Sequence, residues 1–386
     1  MRKFVTILFL YLAVFLQIFA NQSIELSDSA TVSLFTCTPG TETYSKYGHS
    51  AIRIYDPQQE IDWTFNYGVF NFSDKNFYIK FTKGYTYYQL DLERTDWFIY
   101  SSSQIGRTTY EQVLNLTKTE KQALLDALLK NYEPQNRYYL YNFVFDNCAT
   151  RPYKLMRKVL PTLPAPEYTC TPLTYRQAVR HYSENNSWPG FGIDFVFGSN
   201  ADRVMSAEES LFLPEMLMNY VANATLPNGE HLCLWSNCMP FIIKSHSWWQ
   251  SPYFVTFILT IIILIITITD IKRGKSSLWF DELLLFIGGM LGFICFYLSL
   301  FSIHPLVENN WNLLSVNPIL LLLAITLLIP KCRLWMQKHA IVISLCCLMI
   351  TCLRIPAIYF QSWHWLMILP IVHSLRGILL SKFKVK

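Results

Sequence analysis

From Tyr253 to the C-terminus the chain carries apolar runs long enough to cross a bilayer, and this constrains what the rest of it can be. "YFVTFILTIIILIITIT" opens the region, and about five spans can be parsed, at roughly 253 to 270, 278 to 302, 317 to 331, 339 to 354 and 356 to 378. Basic residues alternate between the loops. Lys272, Arg273 and Lys275 follow the first span, Lys331, Arg333 and Lys338 follow the third, and Arg376, Lys382, Lys384 and Lys386 lie in the tail. By contrast "IHPLVENNWNLLSVN", after the second span, has no Lys or Arg. This alternation puts the tail in the cytoplasm and residues 21 to 245 on the other side of the membrane.

The N-terminus agrees with this topology. "MRK" followed by "FVTILFLYLAVFLQIFA" reads as an export signal over residues 1–20, either cleaved after Ala20 or kept as an anchor. The expected organisation is therefore a signal at 1–20, an exported domain at 21–245 and a membrane domain at 250–386, with Trp248 and Trp249 at the interface. The net charge of +5 is explained mostly by the cytoplasmic clusters, so it does not point to nucleic acid.

In the exported part, "SAIRIYD" and "IDWTFNYGVF" alternate around "PQQE" and predict a hairpin. "NFYIKF" and "YTYYQLDL" read as further strands, rich in aromatic and β-branched residues. "LTKTEKQALLDALLKNY" then changes period and predicts a helix, with Thr119 and Gln122 at capping-box spacing. A Pro-rich loop, "PTLPAPEYTCTP", precedes a short helix over "TYRQAVRHY". The domain is thus mixed α and β.

Five cysteines, 37, 148, 170, 233 and 238, fall in this exported part. Cys233 and Cys238, in "CLWSNC", make the expected disulfide because the loop is short and the compartment oxidising, and Cys37 with Cys170 is a weaker pairing. Cys148, in "YNFVFDNCATRP", stands instead at an expected helix start near Asp146 or Asn147, where a helix N-terminus and an imidazole would lower a thiol's pKa. The competing reading makes it half of another disulfide. His49, at the head of the hairpin in "YGHSAIRIYD", is the candidate base. Folding the hairpin about Gln58 sets position 49 opposite about 67, so Asn66 is the leading residue to orient the imidazole and Asp62 the alternative. The Cys148 amide would be one oxyanion donor, with the second unidentified. Asp146 and Asn147 read as helix caps, and Arg151 and Arg53 as ion-paired or solvated side chains rather than phosphate ligands. His181, His231 and His246 lack metal-ligand spacing, which argues against a metal site.

"YGHSAIRIYD", "DWTFNYGVF" and "YNFVFDNCATRP", in this order and ahead of a five-span tail, resemble the Lnb family of Bacteroidota lipoprotein N-acyltransferases. The resemblance implies an exported α+β domain of permuted papain-like (NlpC-type) fold, similar to lecithin retinol acyltransferase, with an antiparallel sheet and helices. An all-α membrane domain follows it. It also implies Cys148 as nucleophile and His49 as base, and no cofactor. The expected partners are a membrane phospholipid as acyl donor and the N-terminus of a diacylated lipoprotein as acceptor, with the catalytic domain on the periplasmic side of the inner membrane. A peptidoglycan endopeptidase using the same dyad is the alternative, and a non-catalytic membrane protein that binds a partner is a second.

Overall fold

A computed structural model describes residues 24–40, 42, 45–70, 73, 75–168, 171–182, 188–239, 249, 251–353, 371–372 and 374–379. The signal at 1–20, Cys170, His246, Trp248 and most of the fifth expected span lie outside the described residues.

The centre of the exported part is an antiparallel sheet of β1 (Thr31–Cys37), β2 (His49–Asp56), β3 (Ile61–Val69), β4 (Tyr87–Arg94), β5 (Thr109–Leu114), β6 (Tyr138–Leu140) and β7 (Cys233–Met239). Its spatial order is β6-β4-β3-β2-β1-β5-β7. The predicted hairpin is β2–β3, paired from Asp56↔Ile61 to Ile52↔Phe65. Asp56 closes its turn: buried, it accepts the amides of Gln58 and Ser27 at 3.0 and 2.6 Å.

Alternation along the strands gives the sheet two apolar faces. On one, Ile52, Ile54, Phe65, Tyr67 and Leu90 pack under two helices, α3 (Lys118–Tyr132) and α4 (Thr150–Val159). These supply Leu124, Leu125, Leu128, Tyr153 and Met156. On the other face, Phe98 of α2 (Thr95–Gln104) covers Phe35, Cys37 and Ala51. The α3 cap is Thr117 with Glu120, two residues before the expected Thr119 and Gln122.

The third expected strand, "NFYIKF", is a helix instead, α1 (Phe77–Lys83). Left-handed residues bound it on both sides, Asn76 at φ 64° and Gly84 at φ 81°, and the Gly84 amide closes onto the Phe81 carbonyl. Seven residues carry too little periodicity to separate helix from strand.

A second core gathers α5 (Tyr175–Tyr182) and α6 (Trp188–Val196), with α7 (Ala207–Ser210) and α8 (Pro214–Asn223) following. Buried Arg176 ties it together: its guanidinium bonds Asp194 at 2.8 Å, Asp202 at 2.7 Å and the Gly198 carbonyl at 2.9 Å. A buried guanidinium is tolerated here because opposite charges and carbonyls meet its donors.

Beyond residue 250, α9 (Pro252–Arg273), α10 (Leu278–Phe301) and the segment Trp311–Leu328, which ends in α11 (Ile319–Leu328), are long and apolar enough to span a membrane. α12 (Pro330–Lys338) and α13 (Ala340–Cys352) form a bent pair that would make a fourth span. The turn between α10 and α11 docks on the exported part: the Gly198 amide donates to Leu306 O at 2.7 Å, and Asn310 and Asn312 donate to Phe195 O at 2.9 and 2.6 Å. This is the loop without Lys or Arg, so contact and charge agree on its side. At the other end of the bundle Arg376 is clamped by Asp281 and Asp270, at 2.7 and 2.5 Å.

Candidate active site

His49 opens β2 just after Gly48, whose φ of +80° and close approach to the Cys37 carbonyl leave no place for a side chain. Its imidazole is on the face that carries Phe98, with ring centroids 6.2 Å apart. Continuing the pairing from Ile52↔Phe65 sets His49 opposite Gly68, one residue past the expected 67. Asn66 shares that face, and its Oδ1 lies 2.6 Å from His49 Nε2. Asn66 Nδ2 in turn donates to Glu93 Oε1 at 2.7 Å. Asp62 is not part of this chain. Its two carboxylate oxygens accept from Arg53 at 2.7 and 2.9 Å, and Arg53 also reaches Glu111 at 2.9 Å.

Cys148 lies in the turn that leads into α4. Buried Asn147 shapes that turn: its Oδ1 accepts the amides of Ala149 and Thr150, both at 2.9 Å. Its Nδ2 donates to the carbonyls of Phe143 and Phe212 at 2.7 and 2.9 Å. The side chain thus satisfies two amides at the helix start and anchors the turn to a distant segment. Arg151, one turn on, pairs with Asp146 at 2.7 Å and lies over the Tyr139 ring at 3.5 Å, so it braces α4 against β6.

The thiol and the imidazole converge on Gly68. A Cβ placed there would stand 3.5 Å from Cys148 Cβ and 3.7 Å from His49 Cε1. Gly68 has φ +93° and sits at a β-bulge of β3 against β4, a local distortion that re-aims the strand beside the two side chains.

Burial governs the electrostatics. It lowers His49 to about 4, helped by the charge of Arg107 and opposed by the Asn66 hydrogen bond. Burial raises the Cys148 thiol, against the Ser50 amide, the Arg107 charge and its own amide. The two shifts hold the resting pair as neutral thiol and neutral imidazole. Glu93 is also raised, by burial first, against the Asn66 hydrogen bond.

The sequence reading missed Glu93, Gly68, Arg107 and Tyr139. Glu93 was findable, because β4 alternates with Tyr88 and Leu90 on the core side and Glu93 on the face of Asn66. Tyr139 is 4% exposed, and its hydroxyl has no hydrogen-bond partner among the described residues. Its pKa is pushed well up by burial and then by the charge of Cys148 nearby, so the hydroxyl remains a donor.

The expected Cys233–Cys238 disulfide is corrected. Both residues lie on β7, opposite Leu114 and Tyr110 of β5, and both thiols are free. Five residues of extended chain span about 16 Å, far beyond the reach of a disulfide. Cys37 is buried as a free thiol, its Sγ 3.6 Å from the Ser102 and Thr109 hydroxyls.

Comparison with curated proteins and with solved structures returns no significant match. Family comparison does: residues 19–181 match the Lnb N-terminal periplasmic domain and residues 244–382 the Lnb transmembrane domain. Both halves of the chain, the one that carries Cys148 and His49 and the one that carries the apolar helices, match the same family, and the protein is therefore a member of the Lnb family, a membrane protein with a periplasmic domain.

Proposed function

We propose that this protein is a lipoprotein N-acyltransferase of the bacterial inner membrane that works through a Cys148 thioester. The observation that carries the reading is the convergence of Cys148 and an Asn66-held His49 at Gly68, on a domain fastened to the outer turn between two apolar helices. Both proposed substrates, a phospholipid and a diacylglyceryl-cysteine, belong to the membrane surface beside that domain.

In the first half-reaction His49 takes the thiol proton as Cys148 Sγ attacks the ester carbonyl of a phospholipid. The Sγ–C bond forms and the carbonyl electron pair moves onto oxygen. When that oxyanion collapses, the C–O ester bond breaks, and the glycerol oxygen leaves with the proton from His49 as a lysophospholipid. In the second half-reaction the free α-amine of a diacylglyceryl-cysteine attacks the thioester and gives its proton to His49. The thiolate leaves and takes that proton back, so an amide and a free thiol remain. The Cys148 amide and the Tyr139 hydroxyl are the oxyanion donors in this scheme.

The test is the intermediate. Purified protein mixed with phospholipid and no acceptor should gain one fatty-acyl mass on the Cys148 peptide, removable by neutral hydroxylamine. A synthetic diacylglyceryl peptide with a free N-terminal amine should discharge it, and one with a blocked amine should leave it in place. Cleavage of muropeptides with no acyl adduct from any lipid would make the protein a peptidoglycan endopeptidase instead.

A further inference from the structure

The connection between β3 and β4 presents an apolar surface that the core does not use. Tyr78, Ile79 and Phe81 of α1 are 74%, 55% and 41% exposed, a concentration of large apolar groups that a water-facing helix seven residues long does not need. Phe77, the first residue of α1, is buried instead and packs inward.

The position of α1 is fixed by the membrane part. Lys83 O accepts the Ile303 amide at 3.0 Å, and Phe81 O bonds His304 Nε2 at 2.9 Å. A Cβ on Gly84 would come within 2.6 Å of Ile303 Cγ1, so only glycine allows the approach. Ile303 is two residues past Phe301, the last of α10. The end of a spanning helix marks the bilayer surface, and α1 is tied to that level with aromatic rings exposed.

The other side of α1 leads inward. Phe77 stacks on Phe70 with ring centroids 5.6 Å apart, and Phe70 stacks on Tyr88 at 4.8 Å. Phe70 is two residues beyond Gly68, where Cys148 and His49 meet, and the pKa of the Tyr88 hydroxyl is pushed up by burial first and then by the charge of Cys148. α1 and the catalytic pair therefore share one end of the sheet, the end formed by the start of β2, the finish of β3 and the start of β4.

We propose that α1 lies in the bilayer interface through Tyr78, Ile79 and Phe81, and that Phe77, Phe70 and Tyr88 form the apolar path along which a bilayer phospholipid brings its acyl ester to Cys148. The inference rests on the acyltransferase reading for its outcome at Cys148, but not for its contact with lipid. A flat ring series suits a flexible acyl chain because every ring offers an apolar face without demanding a chain length.

Two measurements on the full chain test it. In the first, Tyr78→Ser/Ile79→Ser/Phe81→Ser protein is compared with wild type for acyl loading of Cys148 from two donors. These are vesicles of phosphatidylethanolamine with a minor fraction of phosphatidylglycerol, and a water-soluble short-chain aryl ester. The ratio of vesicle loading to soluble-ester loading should fall about tenfold or more, the equivalent of about 1.4 kcal/mol. An unchanged ratio overturns the proposal. In the second, Cys148→Ala protein in the same vesicles is cross-linked to a phosphatidylethanolamine with a photoreactive group on its acyl chain. Adducts should map to residues 77–83 and to Phe70 or Tyr88, and adducts confined to α9–α13 overturn the proposal. Cross-linking at α1 without loading in wild type would retain the lipid contact and reject the acyltransferase. Loading without either α1 effect would retain the acyltransferase and reject the path.

Discussion

Asn66 Oδ1 holds His49 through Nε2 at 2.6 Å, and Asn66 is itself held the right way round because its Nδ2 donates to Glu93. An amide oxygen can only accept, so Nε2 carries the proton and Nδ1 is left as the basic nitrogen. The order Glu93–Asn66–His49 thus selects the tautomer that can take a proton from Cys148.

The acid limb of Cys148 acyl loading should follow the depressed imidazole. With His49 lowered from 6.5 to about 4, it stays an unprotonated base as pH falls below 6.5, and the rate should halve near pH 4. The same shift gives stability that is complete above about pH 6.5 and lost down to pH 4, because the unfolded chain takes up the proton first. Asn66→Ala removes a hydrogen bond that favours imidazolium, so its limb should move lower while its plateau drops. A wild-type limb near 6.5 in a pH–rate series would mean that His49 is solvated rather than buried.

Cys148→Ser and His49→Ala should each lose acyl transfer by about a hundredfold or more while the chain still folds and inserts. Serine offers no accessible alkoxide in a neutral pair, and without an imidazole the thiol, already raised by burial, remains protonated. Single-turnover loading read by intact mass is the check, and normal loading in either variant removes that residue from the mechanism.

Gly68→Ala separates site geometry from backbone strain. At φ +93° any side chain costs about 1 to 2 kcal/mol, and here the methyl would also fill the space between Cys148 and His49. Gly229 is a matched control, with φ +85° and nothing within 4 Å of an added Cβ. Both alanine variants should lose comparable stability by thermal unfolding, but only Gly68→Ala should lose loading, by about tenfold or more.

Under non-reducing conditions both Cys233 and Cys238 should be alkylated in the folded protein, since β7 holds them apart in extended chain. Peptide mapping that finds them joined would mean that β7 does not pair with β5 along its length.

The legible parts of the site were those written in local pattern. Cys148 before a helix, His49 at the head of an alternating run and Asn66 by hairpin parity all depend on neighbours close in sequence. Gly68 was not legible, because one residue of register separates it from the expected partner and only the closed sheet sets that register. Arg107 and Tyr139 are coupled to Cys148 only by electrostatics that the tertiary fold sets, with no local pattern to announce it. The reading failed where local signals were ambiguous. "CLWSNC" looks like a short cysteine loop until β5 supplies its partner strand, and Thr119–Gln122 has the same spacing as the true cap at Thr117–Glu120.

Asn147 should prove the residue on which Cys148 most depends for its position. Its side chain bonds four backbone groups, the Ala149 and Thr150 amides and the Phe143 and Phe212 carbonyls, with little access to water that could replace them. Asn147→Ala strands all four and should cost about 2 to 4 kcal/mol, combining a lost cap with buried unpaired groups. Asn147→Asp is the sharper test. It preserves the acceptor for the two amides but sets a carboxylate oxygen against two carbonyls, a repulsion in a dry site that should leave it no more stable than alanine. Both variants should lower the rate of Cys148 loading at temperatures where they remain folded. Denaturant unfolding of the full chain supplies the stability, and an Asp variant that matched wild type would show that the anchor to Phe143 and Phe212 carries no weight.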